Sequence, residues 1–269
     1  TPNRGDCASV RGIARDLAAS FEQGLIKKKF NNQLGTFKSA IKWDLNSLEV
    51  KNDCPLIYGR QFKVKKNAPS PSWLKLRLES IGLKSISSLV DITNYILFDI
   101  GRPLHVFDVE KIKGNLKVMT LEEKENFIGL DKKEYILCKG DIVIKDSEKT
   151  VSIAGIMGGL NSCVDENTNN AFLEVAYFDS NKIAQTGRRL GIVSDARYRF
   201  ERGIDPNGLK EGLEYGTNLI IDICGGSYSD FTKSGKEINL QKTIKYDLKS
   251  FGKLVGFSIK RDRQKDLLS

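Results

Sequence analysis

One histidine, His105, stands in a chain of 269 residues. A zinc site of the usual spacing needs several histidines or a close pair of cysteines. The five cysteines, Cys7, Cys54, Cys138, Cys163 and Cys224, form no CxxC pair. No metal site is expected. Odd in number and far apart, the cysteines read as free thiols of a reducing cytoplasm rather than as a disulfide framework. No GxxxxGK[ST] loop, GxGxxG turn, GxSxG elbow or HExxH pair occurs. That removes the usual signatures of phosphate-loop, dinucleotide-binding, serine-hydrolase and zinc-protease chemistry. No cysteine lies near His105 in sequence to make a thiol-imidazole nucleophile. Apolar runs of membrane-spanning length, a signal peptide, internal repeats and low-complexity segments are all missing. The initiator methionine is also missing, so the chain reads as an excised piece. With a single imidazole, any catalysis must lean on carboxylates, backbone amides or the substrate itself.

What is present suits a folded domain. Hydrophobic residues make up 40% of the chain, ample for a core, and a formal charge of +9 favours a polyanionic partner such as RNA or DNA. Val10, Ile13, Ala14, Leu17, Ala18 and Phe21 recur at helical spacing after a capping Asp6. Ile41, Trp43 and Leu45 alternate, and Tyr58, Phe62 and Val64 share one strand face. Ser70-Pro71 opens a helix with Trp73, Leu74, Leu78 and Ile81 as its buried stripe. Short strands are expected near 116–121, 135–137, 141–145 and 150–156, with the loop Met157-Gly158-Gly159 closing the series. Ser180 caps one further helix and Asp205-Pro206 starts another, stopped by Gly225-Gly226. A strand near 238–246 and a helix from Asp247 end the pattern.

Three stretches carry candidate chemistry. Leu89 to Asp108 begins as a helix over residues 91–100 capped by Asp91, is stopped by Gly101-Arg102-Pro103, and delivers His105 just afterwards. Thr93, Asn94 and His105 then line a pocket wall, or the segment is an ordinary helix, turn and strand. AFLEVAYF, residues 171–178, alternates so that Glu174 shares a face with Phe172, Ala176 and Phe178. A carboxylate among aromatics faces a polar cavity, or that strand face is solvated. In residues 195–205 Arg197, Arg199 and Arg202 interleave with Asp195, Glu201 and Asp205. They contact phosphates, or they form an internal ion-pair network that pins the segment.

TPNRGDC…GIARDLAA, SPSWLKLRLESIG, VDITNY, PLHVFD, AGIMGG, LEVAYF, TGRRLG and RYRFERGIDP follow one another in this order. That series resembles the central editing module of bacterial phenylalanyl-tRNA synthetase beta subunits, from residue 1 to about residue 255. The resemblance implies an α+β fold, a central mixed β-sheet or barrel-like core flanked by helices. It implies domain limits as well: 1–46 as the tail of a preceding domain and connector, 47–236 as the module, 237–269 as the truncated start of the next. The activity it implies is hydrolysis of tyrosine mischarged onto tRNA(Phe), within an ATP-dependent ligase that works in the cytoplasm. The partners would be tRNA(Phe), the tyrosine moiety, and a synthetase alpha subunit in an α2β2 assembly. The piece itself needs no cofactor, ATP and magnesium belonging to the full enzyme. A non-catalytic tRNA-docking module of the same synthetase is the alternative.

Carried over by motif position, the site would comprise His105, Thr93 and Asn94 in catalytic roles, with Gly158, Glu174, Ser194 and Ala196 binding substrate. Glu174 would take the phenolic O–H as a carboxylate, and Ala196 would leave room for the ring. The base is either His105 or the substrate's own ribose hydroxyl. The chain departs from the family pattern at three places: Arg102 where glutamine is usual, Ser194 for threonine, and Gly187 for alanine. Arg102, beside the histidine in sequence, is expected to alter its local charge. Gly187 is expected to affect helix stability alone.

Overall fold

The structure is a computed structural model, described for residues 4–26, 34–44, 52–238 and 243–268. In chain order, α1 (Val10–Ser20) precedes β1 (Trp43–Asp44) and β2 (Leu56–Lys63). Then α2 (Ser72–Glu79) and α3 (Ser88–Ile100) lead to β3 (His105–Asp108). Short strands follow: β4 (Leu116–Thr120), β5 (Glu125–Ile128), β6 (Glu134–Leu137), β7 (Ile142–Lys145), β8 (Thr150–Ile153) and β9 (Met157–Gly158). After β10 (Asn170–Tyr177) come α4 (Ser180–Leu190), α5 (Asp195–Phe200) and α6 (Leu209–Cys224). The chain ends through β11 (Ser227–Tyr228), β12 (Thr232–Gly235), α7 (Leu248–Val255) and α8 (Arg261–Leu268).

The alternation of β10 organises three layers. Leu173 and Val175 point to one side, where they join Tyr58, Phe62 and Val106 and meet Leu74 of α2, Ile92 and Ile96 of α3 and Leu213 of α6. Phe172 and Ala176 point to the other side, against Trp43, Val118, Ile144 and Ile153 of a second sheet. The first sheet runs β11-β2-β10-β3, with β12 also on β2, and the second runs β1-β4-β7-β8-β9. The second is mixed, because β1 pairs β4 in parallel while the other pairs are antiparallel. An α+β fold with a mixed sheet is thus found, but no closed barrel among the described residues. The reason is that β3 ends its sheet, touching the next segment through a lone bridge from Phe107 to Cys163.

Several local expectations need correction. Ser9, not Asp6, caps α1 by accepting from the Gly12 N–H, while Asp6 is held by Arg4 and Arg15. Asp91 is no cap; it lies buried inside α3's first turn and accepts from Ser70 Oγ at 2.6 Å, Ser85 Oγ and the Ile86 N–H. Asp179 rather than Ser180 caps α4, since its extended backbone aims the carboxylate at the Lys182 N–H. In α2 the buried stripe is Leu74 and Leu78 alone, because Trp73 turns out to stack edge-on against Tyr95 with Arg77 over both rings. Strands β5 and β9 were not anticipated, and Met157-Gly158 is a strand rather than a loop. Part of the expected strand near 238–246 lies outside the described residues, and residues 243–246 form none. Asp247 caps α7 as expected.

Candidate functional site

The site is built by strand register. β3 pairs β10 with His105 opposite Glu174, and β2 pairs β10 on its other edge with Gly59 opposite Glu174. Directly opposed residues of an antiparallel pair share a face. Gly59, Glu174 and His105 therefore form a row across three strands, on the face turned to the second sheet. Two local features deliver the histidine. Gly101 takes a φ of 72° to end α3, and Pro103 cannot continue a helix.

Gly158 completes the row from the second sheet. A Cβ built there would lie 2.3 Å from Cε1 and 2.7 Å from Nε2 of His105. The imidazole thus rests directly on the β9 backbone, and a glycine is what permits it. Its other contact is Phe107, edge-on at 4.5 Å between ring centroids.

Burial shifts both titratable groups of the row toward their neutral forms. Glu174 is 6% exposed and meets no hydrogen-bond donor among the described residues. Burial alone pushes its carboxyl up to about 8. His105 Nε2 is buried without a partner among the described residues, and desolvation pushes the imidazole down to about 4. A third polar atom, Trp43 Nε1, is also buried with no partner among the described residues. Buried polar groups are ordinarily hydrogen-bonded, and His105 Nε2 and Trp43 Nε1, on facing layers, have no partner among the described residues. Sequence reading missed Trp43 and Gly59 here, since only the strand pairing brings them near Glu174.

The remaining candidates sit at different removes. Ser194 Oγ donates to the Ile156 carbonyl at 2.7 Å and accepts from the Arg197 N–H at 3.1 Å. It caps α5 and pins that helix to the segment carrying Gly158. Ala196 packs partly buried against the core between the sheets. Thr93 and Asn94 are not joined to the row: Thr93 Oγ1 is spent on the Val90 carbonyl at 2.7 Å within α3. Among the described residues no hydrogen bond links either to His105 or Glu174.

The arginine segment follows the internal-network reading. Arg197 pairs with Glu201 at 3.1 Å, Arg202 with Glu201 at 2.7 Å, and Arg199 with Asp195 at 3.2 Å. Arg199 also donates twice to the Ala8 carbonyl and lies over the Phe98 ring. Asp205 takes no part in this and instead accepts from Arg102 through its carbonyl. Arg102 is buried and turned away from His105, its stem packed over Gly212 of α6, so it does not set the histidine's charge. Gly187 matters for more than helix stability, because a Cβ there would come 2.3 Å from Arg197 Nε. Two clefts, of about 400 Å³ beside Arg102 and Arg202 and about 310 Å³ beside Phe127 and Thr150, hold none of the candidate residues.

The fold is thus an α+β pair of sheets backed by helices, with a row of buried polar groups between the sheets. Residues 53–225, more than half of the chain, match the B3/4 domain family, and the chain belongs to it. It is similar to the phenylalanine–tRNA ligase beta subunit of Gluconobacter oxydans, 48% identical over 97% of this chain and 31% of that protein. The corresponding subunit of Ruegeria pomeroyi is 46% identical over 100% of this chain and 34% of its own length. The chain thus spans about a third of the curated relatives it matches. A solved N-terminal fragment of the phenylalanyl-tRNA synthetase beta-subunit from Pyrococcus horikoshii overlaps 99% of this chain and 73% of its own. Its TM-score is 0.49 at 17% identity, too loose a likeness to bear on function.

Proposed function

We propose that this chain is the editing module of a phenylalanine–tRNA ligase beta subunit, hydrolysing tyrosine mischarged onto tRNA(Phe). The observation that carries the reading is Glu174, a buried, unpaired carboxyl in register with His105. A hydrophobic synthetic pocket rejects an isostere bearing one extra hydroxyl only about a hundredfold. A second site that binds that hydroxyl supplies the rest. Phenylalanine would leave Glu174 unpaired, at a cost of about 1–3 kcal/mol.

The charge states refine the mechanism. Burial favours the protonated form of the Glu174 carboxyl, whose carbonyl oxygen would accept the phenolic O–H. An imidazole held down to about 4 is a weak base. His105 is therefore assigned to holding the ester or the water by hydrogen bond. The attacking water's oxygen bonds to the ester carbonyl carbon, the bond from that carbon to the ribose oxygen breaks, and the water's proton passes through the vicinal ribose hydroxyl to the departing oxygen, releasing tyrosine and the intact tRNA end. Gly158 lets the substrate approach the β9 backbone, and Ala196 leaves space for the ring. Thr93 and Asn94 would reach the terminal ribose.

In this reading residues 47–236 form the module, 1–46 close a preceding domain, and 237–269 open a following one. The full enzyme would use ATP and magnesium, pair with an alpha subunit in an α2β2 assembly, bind tRNA(Phe), and work in the cytoplasm. The test is a deacylation time course on tyrosyl- and phenylalanyl-tRNA(Phe) with the intact synthetase carrying this chain. Faster loss of the tyrosyl ester supports the reading; hydrolysis of neither ester leaves the docking alternative.

A further inference from the structure

Trp43 is absorbed by none of the roles above, yet it lies on the same row. It comes from β1 in the second sheet, and its ring packs 5.6 Å from that of Phe172, at 55°. A Cβ built on Gly59 would lie 2.5 Å from Trp43 Nε1, so the indole nitrogen sits close over the Gly59 backbone. Gly59 is the β2 residue directly across from Glu174. The indole nitrogen over Gly59 and the Glu174 side chain therefore occupy neighbouring strand positions on one face of the first sheet, arriving from opposite sheets. Neither has a hydrogen-bond partner among the described residues.

The two groups are chemically complementary. An indole N–H can only donate, and a carboxyl oxygen accepts. A phenolic oxygen both donates one hydrogen and accepts through its lone pairs. With its O–H given to the Glu174 carbonyl oxygen, the phenolic oxygen still has lone pairs open to a further donor. We propose that Trp43 is a second specificity determinant of this site, its indole N–H donating to the para oxygen of a tyrosyl ring whose O–H is taken by Glu174. The inference rests on the editing reading and deepens it. A ring without a para oxygen then strands two buried polar groups instead of one. The absence of a side chain at Gly59 is what leaves the indole nitrogen its place: an alanine there would occupy the space of Nε1 and of the Phe172 ring.

The test has two arms. In the intact synthetase, Trp43→Phe keeps an aromatic ring against Phe172 and removes the donor. The ratio of kcat/KM for tyrosyl over phenylalanyl ester should fall about tenfold, the worth of one lost hydrogen bond. In the unaltered 269-residue chain, which has two tryptophans, NMR should show two indole N–H signals, assigned by Trp73→Phe. Tyrosine should move the Trp43 signal and phenylalanine should not. This second arm stands even where Trp43→Phe fails to fold. A preference unchanged in Trp43→Phe, or a Trp43 signal moved equally by both amino acids or by neither while tyrosyl ester is still preferred, overturns the Trp43 assignment and leaves the editing reading standing. Hydrolysis of neither ester by the unaltered enzyme refutes the editing reading, and the assignment falls with it.

Discussion

Replacing Glu174 with glutamine tests the site's electrostatics without touching its shape. The amide mimics the protonated carboxyl and cannot ionise. In the folded protein burial holds the Glu174 carboxyl up to about 8 against an ordinary 4.5. The folded state therefore keeps a proton that the unfolded chain releases across that window, and stability falls as pH rises from 4.5 to 8. The full penalty is about 5 kcal/mol, at about 1.4 kcal/mol per pH unit. Glu174→Gln escapes it. Urea unfolding at several pH values between 4 and 9 should show the two proteins alike at the acid end. The glutamine protein should then gain steadily and level off above pH 8. His105 is common to both and cancels in the difference. A difference that stays flat, or a glutamate protein that gains on its variant as pH rises, would mean that the carboxyl ionises against a partner, and the neutral-acid account would be wrong.

His105 carries the opposite sign. Its folded value is depressed from 6.5 to about 4, so its contribution is complete above 6.5 and is lost as pH falls through that window. His105→Gln should flatten the acid limb of the unfolding profile by up to about 3 kcal/mol. Gly158→Ala would drive a methyl into the imidazole. It should slow tyrosyl-tRNA deacylation about a hundredfold, because a displacement of about 1 Å is costly in a positioned site; an unchanged rate would show that the imidazole is not positioned there. Arg199→Met should lower stability by about 2 kcal/mol in thermal or urea unfolding, since it orphans the Ala8 carbonyl. If it instead weakened tRNA binding at unchanged stability, the arginines would be phosphate contacts after all.

Much of the site could be read from local pattern. The alternation of residues 171–178 isolates Glu174 among aromatics, and the helix stop at Gly101 delivers His105 just beyond it; both are properties of neighbouring residues. Caps were less legible, because several polar residues compete near each helix start and tertiary bonds decide among them. Asp91 is drawn inward by Ser70 and Ser85 instead of capping its own helix. What no local pattern carries is register between distant strands. The opposition of Gly59, Glu174 and His105, and the arrival of Trp43 and Gly158 from the other sheet, follow from how β1, β2, β3, β9 and β10 pair and stack. Burial is illegible locally for the same reason. An ordinary histidine value suggests a base, but burial between two sheets lowers it.

The central claim is that Glu174 selects tyrosine, and it stands on one comparison. Deacylation of tyrosyl- and phenylalanyl-tRNA(Phe) should be followed with the intact synthetase and with its Glu174→Ala variant. The account predicts a clear tyrosyl preference in the unaltered enzyme. In the variant that preference should collapse, while bare ester hydrolysis slows far less, because the scissile bond is the same in both esters and only the ring contact is removed. A Glu174→Ala enzyme that keeps its full preference for the tyrosyl ester would contradict it.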